Sequence, residues 1–150
     1  MTRPVTFHDI LGETIPDHRV GIHSREDYYQ YVNCYNEKRY DELGLRFYNP
    51  QVTLEQRGER TYIGRDVIIE HLKSFNITWS HTATVNWMIL DYRAAGCAAE
   101  LVYEYVFTGR GNILPKDTDK PVGTREEIRV FARYDLDSEG RMHHIRLSSA

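Results

Sequence analysis

Long apolar runs are missing from this chain. No stretch of about 18 apolar residues occurs, so no membrane-spanning helix is expected. Cysteine is scarce. Cys34 and Cys97 form no CxxC or zinc-like spacing. A disulfide framework is therefore not expected, which fits a reducing compartment and a cytoplasmic location. An excess of basic charge is also lacking. The chain carries 19 Lys and Arg against 22 Asp and Glu, a net charge of -3, with no basic block. Contacts to phosphates need clustered Lys and Arg, so nucleic-acid binding is set aside. The first residues include Arg3, His8, Asp9 and Glu13 and no uninterrupted apolar segment, so they do not read as a secretory leader. No internal repeat or low-complexity segment is visible. At 150 residues one domain with a real core is expected.

What is there is tyrosine, 11 residues of it. The stretch from Ser24 to Phe75 organises the chain and reads as helix, short helix, strand, turn, strand, helix. Ser24 followed by Asp27 resembles a capping box and predicts a helix start. Tyr28, Tyr31, Val32 and Tyr35 recur at three- and four-residue spacing and share one face. Asn36 to Arg39 is a polar break. Tyr40, Leu43 and Phe47 predict a second amphipathic helix, closed by Asn49-Pro50 because Pro pushes its predecessor out of helical geometry. Val52, Leu54 and Gln56 then share one strand face. Gly64-Arg65-Asp66 opens a third helix. Before all this, residues 1–23 mix Gly and Pro with apolar residues, which predicts an extended arm lying on a neighbouring surface. Residues 24–150 form the expected domain.

The rest of the chain reads as strands. His81–Asp91 alternates, with His81, Ala83, Val85, Trp87 and Ile89 on one face. Residues Tyr92–Gly96 make a turn. In Cys97–Phe107 the bulky set Leu101, Tyr103, Tyr105 and Phe107 is expected inward, opposite Glu100 and Glu104. Thr108–Gly123 is a long loop, of the kind more often functional or mobile than incidental. Thr124–Leu136 is a fifth strand with Glu126, Ile128, Val130, Ala132 and Tyr134 on one face. Asp137 to Gly140 is a hairpin turn, and Arg141–Ser148 a last strand. Helices first, then hairpin-joined strands, means α+β.

The polar residues expected to face inward are Tyr31, Tyr35, Gln56, His81, Tyr103, Tyr105, Glu126 and His143. Burying a polar group without a partner costs about 1–3 kcal/mol, so such a set needs mutual hydrogen bonds or a ligand. His81, beside apolar neighbours, suits a general base near neutral pH. The alternative is a strand-end histidine bonded to a backbone carbonyl. Glu126 suits an acid, or a group that orients His81, if burial raises its pKa. Its alternative is a solvated glutamate beside Arg125. Tyr103 and Tyr105 read as cavity wall. His143 and His144 are adjacent, so a regular strand points them to opposite faces and no metal site is expected. Gly109-x-Gly111 is followed by no strand-to-helix junction and is no nucleotide loop. No cofactor is expected.

Four pieces of sequence, in this order and spacing, resemble the NTF2-like superfamily and in particular its SnoaL-like polyketide cyclase branch. They are Tyr-Val-x-x-Tyr-Asn (31–36), Tyr-Asp-x-Leu (40–43), Phe-Tyr-Asn-Pro-x-Val-Thr-Leu (47–54) and Gly-Arg-Asp-x-Ile (64–68). The resemblance runs from Ser24 to Leu147. It implies a cone: N-terminal helices packed in a curved antiparallel or mixed sheet around a hydrophobic cavity. It implies a cofactor-independent isomerase, cyclase or dehydratase acting on a small hydrophobic polyketide- or terpenoid-derived substrate in secondary metabolism. It also implies a homodimer formed through the outer sheet face. A pocket histidine is frequent at the place of His81 in SnoaL-like relatives. Tyr31 lines up with the helix tyrosine of ketosteroid isomerase, whose phenol serves an oxyanion. Gln56 and Val130 stand where that isomerase has its two carboxyl groups, so its machinery is not expected here. Leu54, Trp87 and Val130 join Tyr35, Gln56, Tyr103, Tyr105 and His143 as expected cavity wall. The alternative reading is a non-catalytic member that binds a small ligand or another protein.

Overall fold

Helix α1, Arg25–Asn36, begins where the Ser24 signal predicts it, with Ser24 Oγ accepting from the Asp27 N–H at 3.2 Å. Asp27 answers by accepting from the His23 N–H at 2.8 Å, so two otherwise orphaned donors are satisfied. This computed structural model describes residues 20–91 and 95–149. Most of the expected N-terminal arm, residues 1–19, and most of the expected 92–96 turn lie outside the described residues. Gly21 passes so close to the 137–140 turn that a Cβ would sit 2.2 Å from the Glu139 carbonyl oxygen. Only glycine fits there, and its φ of +79° suits only glycine as well.

The second helix differs from the expectation. Helix α2 is a single turn, Tyr40–Glu42, that widens directly into a π-helical turn, Leu43–Phe47. The wide turn buries both Arg46 and Phe47, neighbours that a regular amphipathic helix would splay apart. Strand β1, Tyr48–Gln56, follows at once. Asn49-Pro50 therefore lies inside a strand and not at a helix end. The register of β1 against the last strand, Met142–Ser149, shifts between Tyr48 and Thr53, and Pro50, which has no N–H to donate, falls in that gap. Helix α3, Arg65–Thr78, starts after Gly64 as predicted.

The remaining strands are β2 (Thr61–Ile63), β3 (Trp79–Asp91), β4 (Gly96–Phe107), β5 (Arg125–Leu136) and β6 (Met142–Ser149). They form one mixed, curved sheet in the order β2-β1-β6-β5-β4-β3, with β1 and β6 parallel and all other pairs antiparallel. The fold is thus α+β. Helix α1 lies against the inner face, where Tyr28, Tyr31 and Val32 meet Leu101, Tyr103, Ala132 and Tyr134 in one buried cluster. Each fully buried apolar side chain of that cluster stabilises the fold by about 1.5–3 kcal/mol. The long β4–β5 loop is pinned down. Trp79 Nε1 donates to Asp117 at 3.2 Å, and Lys120 bridges Asp117 at 2.9 Å to Glu126 at 2.8 Å. Among the described residues, no helix is long and apolar enough to cross a membrane.

Candidate functional site

His81 enters the cone from the start of β3, opposite Tyr105 on β4. It is 4% exposed. Its Nδ1 lies 3.4 Å from the Trp79 carbonyl, which can only accept, so Nδ1 carries the proton. Nε2 is then a bare acceptor, and the Tyr35 hydroxyl, from the last turn of α1, donates to it. Burial pushes the imidazole pKa down to about 4, only partly opposed by the bond to Trp79. The ring is therefore neutral near pH 7. Aromatic rings enclose it: Phe75 at 5.2 Å, Tyr35 and Tyr105 at 5.3 Å, and Tyr103 at 5.9 Å.

Two asparagines meet the backbone of β3 beside this ring. Asn36 exchanges two bonds with Ala83, donating to its carbonyl at 2.8 Å and accepting from its N–H at 2.7 Å. Asn76 accepts from the His81 N–H at 3.2 Å and donates to the Tyr40 hydroxyl at 2.9 Å.

Deeper in the cone the phenols satisfy one another. Tyr28 and Tyr134 share a bond of 3.0 Å, and Tyr31 and Tyr48 one of 3.4 Å, with all four rings buried. Burial raises the pKa of each well above the ordinary phenol value. They stay protonated and can donate, not abstract. Tyr31 is thus tied to Tyr48, and Tyr35, one turn later, is the tyrosine that reaches His81. The deep end of the expected cavity is filled by side chains.

Several expected wall residues lie elsewhere. A bulge between Val85 and Trp87 flips the register of β3, so Met88 turns inward and Trp87 outward, 41% exposed. A second irregularity, between Met142 and His144 opposite Leu136 and Asp135, leaves His143 unpaired and exposed. Glu126 keeps the face of Tyr105 but sits at the solvent end of β5, bound to Lys120 and not to His81. Gln56 shares a face with Leu54 but ends half-buried at the strand terminus. Leu54, Tyr103 and Val130 face the core as expected, and Tyr105 is half-buried beside His81. On the outer face His144 contacts Glu55 at 3.0 Å. Among the described residues no group of three or more His, Cys, Asp or Glu is placed to hold a metal ion.

Two hollows lined by described residues open away from His81. One, of about 610 Å³, involves Glu55, Trp87, Ala98, Phe131, Arg133 and Arg146 at the outer side of the sheet. The other, of about 930 Å³, is a charged surface hollow between α2 and the start of α3.

No protein-family model and no curated protein matches the chain. Solved structures do. A candidate polyketide cyclase from Xanthomonas campestris pv. campestris superposes with a TM-score of 0.68 at 16% identity, over 81% of this chain and 85% of that one. SalBIII, an epoxide hydrolase/cyclase-like enzyme of pyran ring formation in the polyether salinomycin, gives 0.66 at 21% identity over 84% and 89%. An NTF2-like protein of unknown function from Exiguobacterium sp. 255-15 gives 0.62 at 10% identity over 82% and 97%. The fold is the NTF2-like cone. At these identities the likeness is one of fold, and fold alone does not choose a chemistry.

Within this NTF2-like cone, sequence reading missed Asn36 and Asn76. Asn36 stood in plain view as the end of Tyr-Val-x-x-Tyr-Asn, yet a polar residue at a helix end reads first as a break. What the cone brings together is a neutral imidazole, a phenol hydrogen-bonded to its free nitrogen, and an aromatic surround. Burial makes this imidazole a weaker base than a free one, so it suits taking a proton from an activated carbon or oxygen acid while the phenol holds the oxygen on which charge develops.

Proposed function

We propose that this chain is a cofactor-independent enzyme that moves protons on a hydrophobic polyketide- or terpenoid-derived substrate, in the cytoplasm and in secondary metabolism. The single observation that carries the reading is the Tyr35 hydroxyl donating to Nε2 of a buried, neutral His81. A substrate carbonyl entering beside Tyr35 competes for that hydroxyl. When the hydroxyl turns to the carbonyl oxygen, Nε2 is left with a free lone pair. The adjacent C–H bond breaks, its proton goes to Nε2, and the electron pair moves onto the oxygen held by Tyr35. Return of the proton to another carbon is an isomerisation. Attack of the enolate on a second carbonyl, whose oxygen takes the proton from Nε2, is a cyclisation; expulsion of a β-hydroxyl, which takes that proton and leaves as water, is a dehydration. Phe75, Tyr103 and Tyr105 offer the apolar contact a ring-bearing substrate needs. The similar solved structures that include a candidate polyketide cyclase and SalBIII support this choice of substrate class.

A second reading has its own observation. The deep cone is packed with paired phenols, and the outer sheet face exposes Trp87, Ile89 and Phe131. That combination suits a binding or interaction module, and on either reading the outer face is the proposed homodimer surface. The deciding experiment incubates the intact chain in D2O with a panel of hydrophobic polyketide and terpenoid ketones and follows deuterium uptake by mass spectrometry. Enzyme-dependent uptake, cut by about 10²–10⁴-fold in His81→Ala, is the expected result. Binding without uptake assigns the module instead.

A further inference from the structure

β3 is an edge strand, and ahead of its bulge the N–H groups of His81 and Ala83 are turned to the side away from β4. An open edge of this kind ordinarily meets water or another strand. Here it meets two amide side chains. Asn36 gives Ala83 the paired donor and acceptor that a neighbouring strand residue would give, at 2.8 and 2.7 Å. Asn76 accepts from the N–H of His81 itself at 3.2 Å, and its own amide nitrogen is held by Tyr40 at 2.9 Å and the Leu72 carbonyl at 3.1 Å.

We infer that Asn36 and Asn76 are positioning residues that fix the His81 ring against the Tyr35 hydroxyl. Asn36 follows Tyr35 directly in α1, and Ala83 lies two residues from His81 in β3. The Asn36–Ala83 pair therefore sets the separation of the two backbones that carry the phenol and the imidazole. Asn76 lies next to Phe75, whose ring packs edge-on to His81 at 5.2 Å with the planes at 77°. Its bond to the His81 N–H holds the peptide from which the ring projects, while the Trp79 carbonyl holds Nδ1. Side-chain amides from two helices thus hold the β3 backbone so that Nδ1 stays on the Trp79 carbonyl and Nε2 keeps one direction. This positioning rests on the proposed role of His81 as the base, but its physical content is the state of the ring, which is measurable without a substrate.

The test is nitrogen NMR of the His81 ring in the intact protein near neutral pH. Wild type is expected to show a protonated Nδ1 and a bare Nε2. Asn36→Ala and Asn76→Ala are expected to lose that single signature for a mixture of tautomers, with kcat reduced by about 10²-fold and KM held. Asn49→Ala, which removes a 2.8 Å bond to Asp137 elsewhere, serves as the control and is expected to leave the ring unchanged. Asn76→Asp sets its second oxygen beside the Leu72 carbonyl, where the Tyr40 hydroxyl can turn to donate to it, but keeps the acceptor for the His81 N–H and is expected to keep the tautomer. Asn36→Asp sets a carboxylate against the Ala83 carbonyl and is expected to lose it. Folded Asn36→Ala and Asn76→Ala with an unchanged ring overturn the inference. The reverse pattern in the two Asp variants overturns it even where the Ala variants do not fold. If His81→Ala leaves deuterium uptake at the wild-type rate, the catalytic reading fails while the ring measurement still decides the positioning.

Discussion

The Tyr35 hydroxyl donates to His81 Nε2, and the other ring nitrogen is already engaged by the Trp79 carbonyl. Tyr35→Phe removes the donor and leaves Nε2 buried without a partner. A stability loss of about 1–3 kcal/mol is expected in denaturant unfolding. Proton exchange on a reactive ketone should slow by about 10²–10³-fold, the cost of losing one oxyanion donor. Wild-type exchange in this variant would remove Tyr35 from the chemistry.

Acid should destabilise the fold through His81. Burial holds the folded ring near pKa 4, below the ordinary 6.5. Between those values the unfolded chain binds a proton that the folded chain does not, so stability rises with pH across the window and falls on acidification through it. The full difference is roughly 3 kcal/mol. His71, also held low by burial, adds a contribution of the same sign. Unfolding free energies from pH 4 to 7 should therefore show a shallower slope in His81→Gln than in wild type.

The packed deep end makes a separate prediction. Tyr28→Phe and Tyr134→Phe should each cost about 1–3 kcal/mol, because each leaves the other hydroxyl buried alone. The double variant removes both groups and should cost less than the sum. A double-mutant cycle by urea unfolding reads this, and strict additivity would show that the 3.0 Å contact carries no coupling.

How much of this was legible in the sequence varies by kind of feature. The Ser24 cap, the Gly64 start of α3 and the inward set Leu101, Tyr103, Tyr105 and Phe107 follow from local spacing and alternation. Alternation fails where a bulge adds a residue. Trp87 and Ile89 read as inward only until the irregularity after Val85 reverses them, and His143 is displaced in the same way. Nothing in a single sequence marks such an insertion. Alternation also gives the face of a strand and not the depth along it, which is why Glu126 lands on the right face but out at the rim with Lys120. The two asparagines escaped because their partners are backbone groups of a distant edge strand, which leave no trace in side-chain patterning. Tyr35 over Tyr31 is a difference of one helical turn, finer than spacing alone resolves.

The outer sheet face is where the proposed homodimer would form. Trp87, Ile89 and Phe131 are exposed there beside Ala98 and Arg133. Phe131→Glu should convert a dimer to a monomer in sedimentation velocity, with the fold intact by circular dichroism. A wild-type chain that sediments as a monomer at high concentration would remove the dimer from the account.

The state of one ring is the most direct measurement. Nitrogen NMR of His81, followed from pH 8 down to pH 4 in the intact protein, should show Nδ1 protonated and Nε2 bare, with the second proton arriving only near pH 4. A ring that gains its proton near 6.5, or that carries the neutral proton on Nε2, would contradict a buried base held ready beside Tyr35.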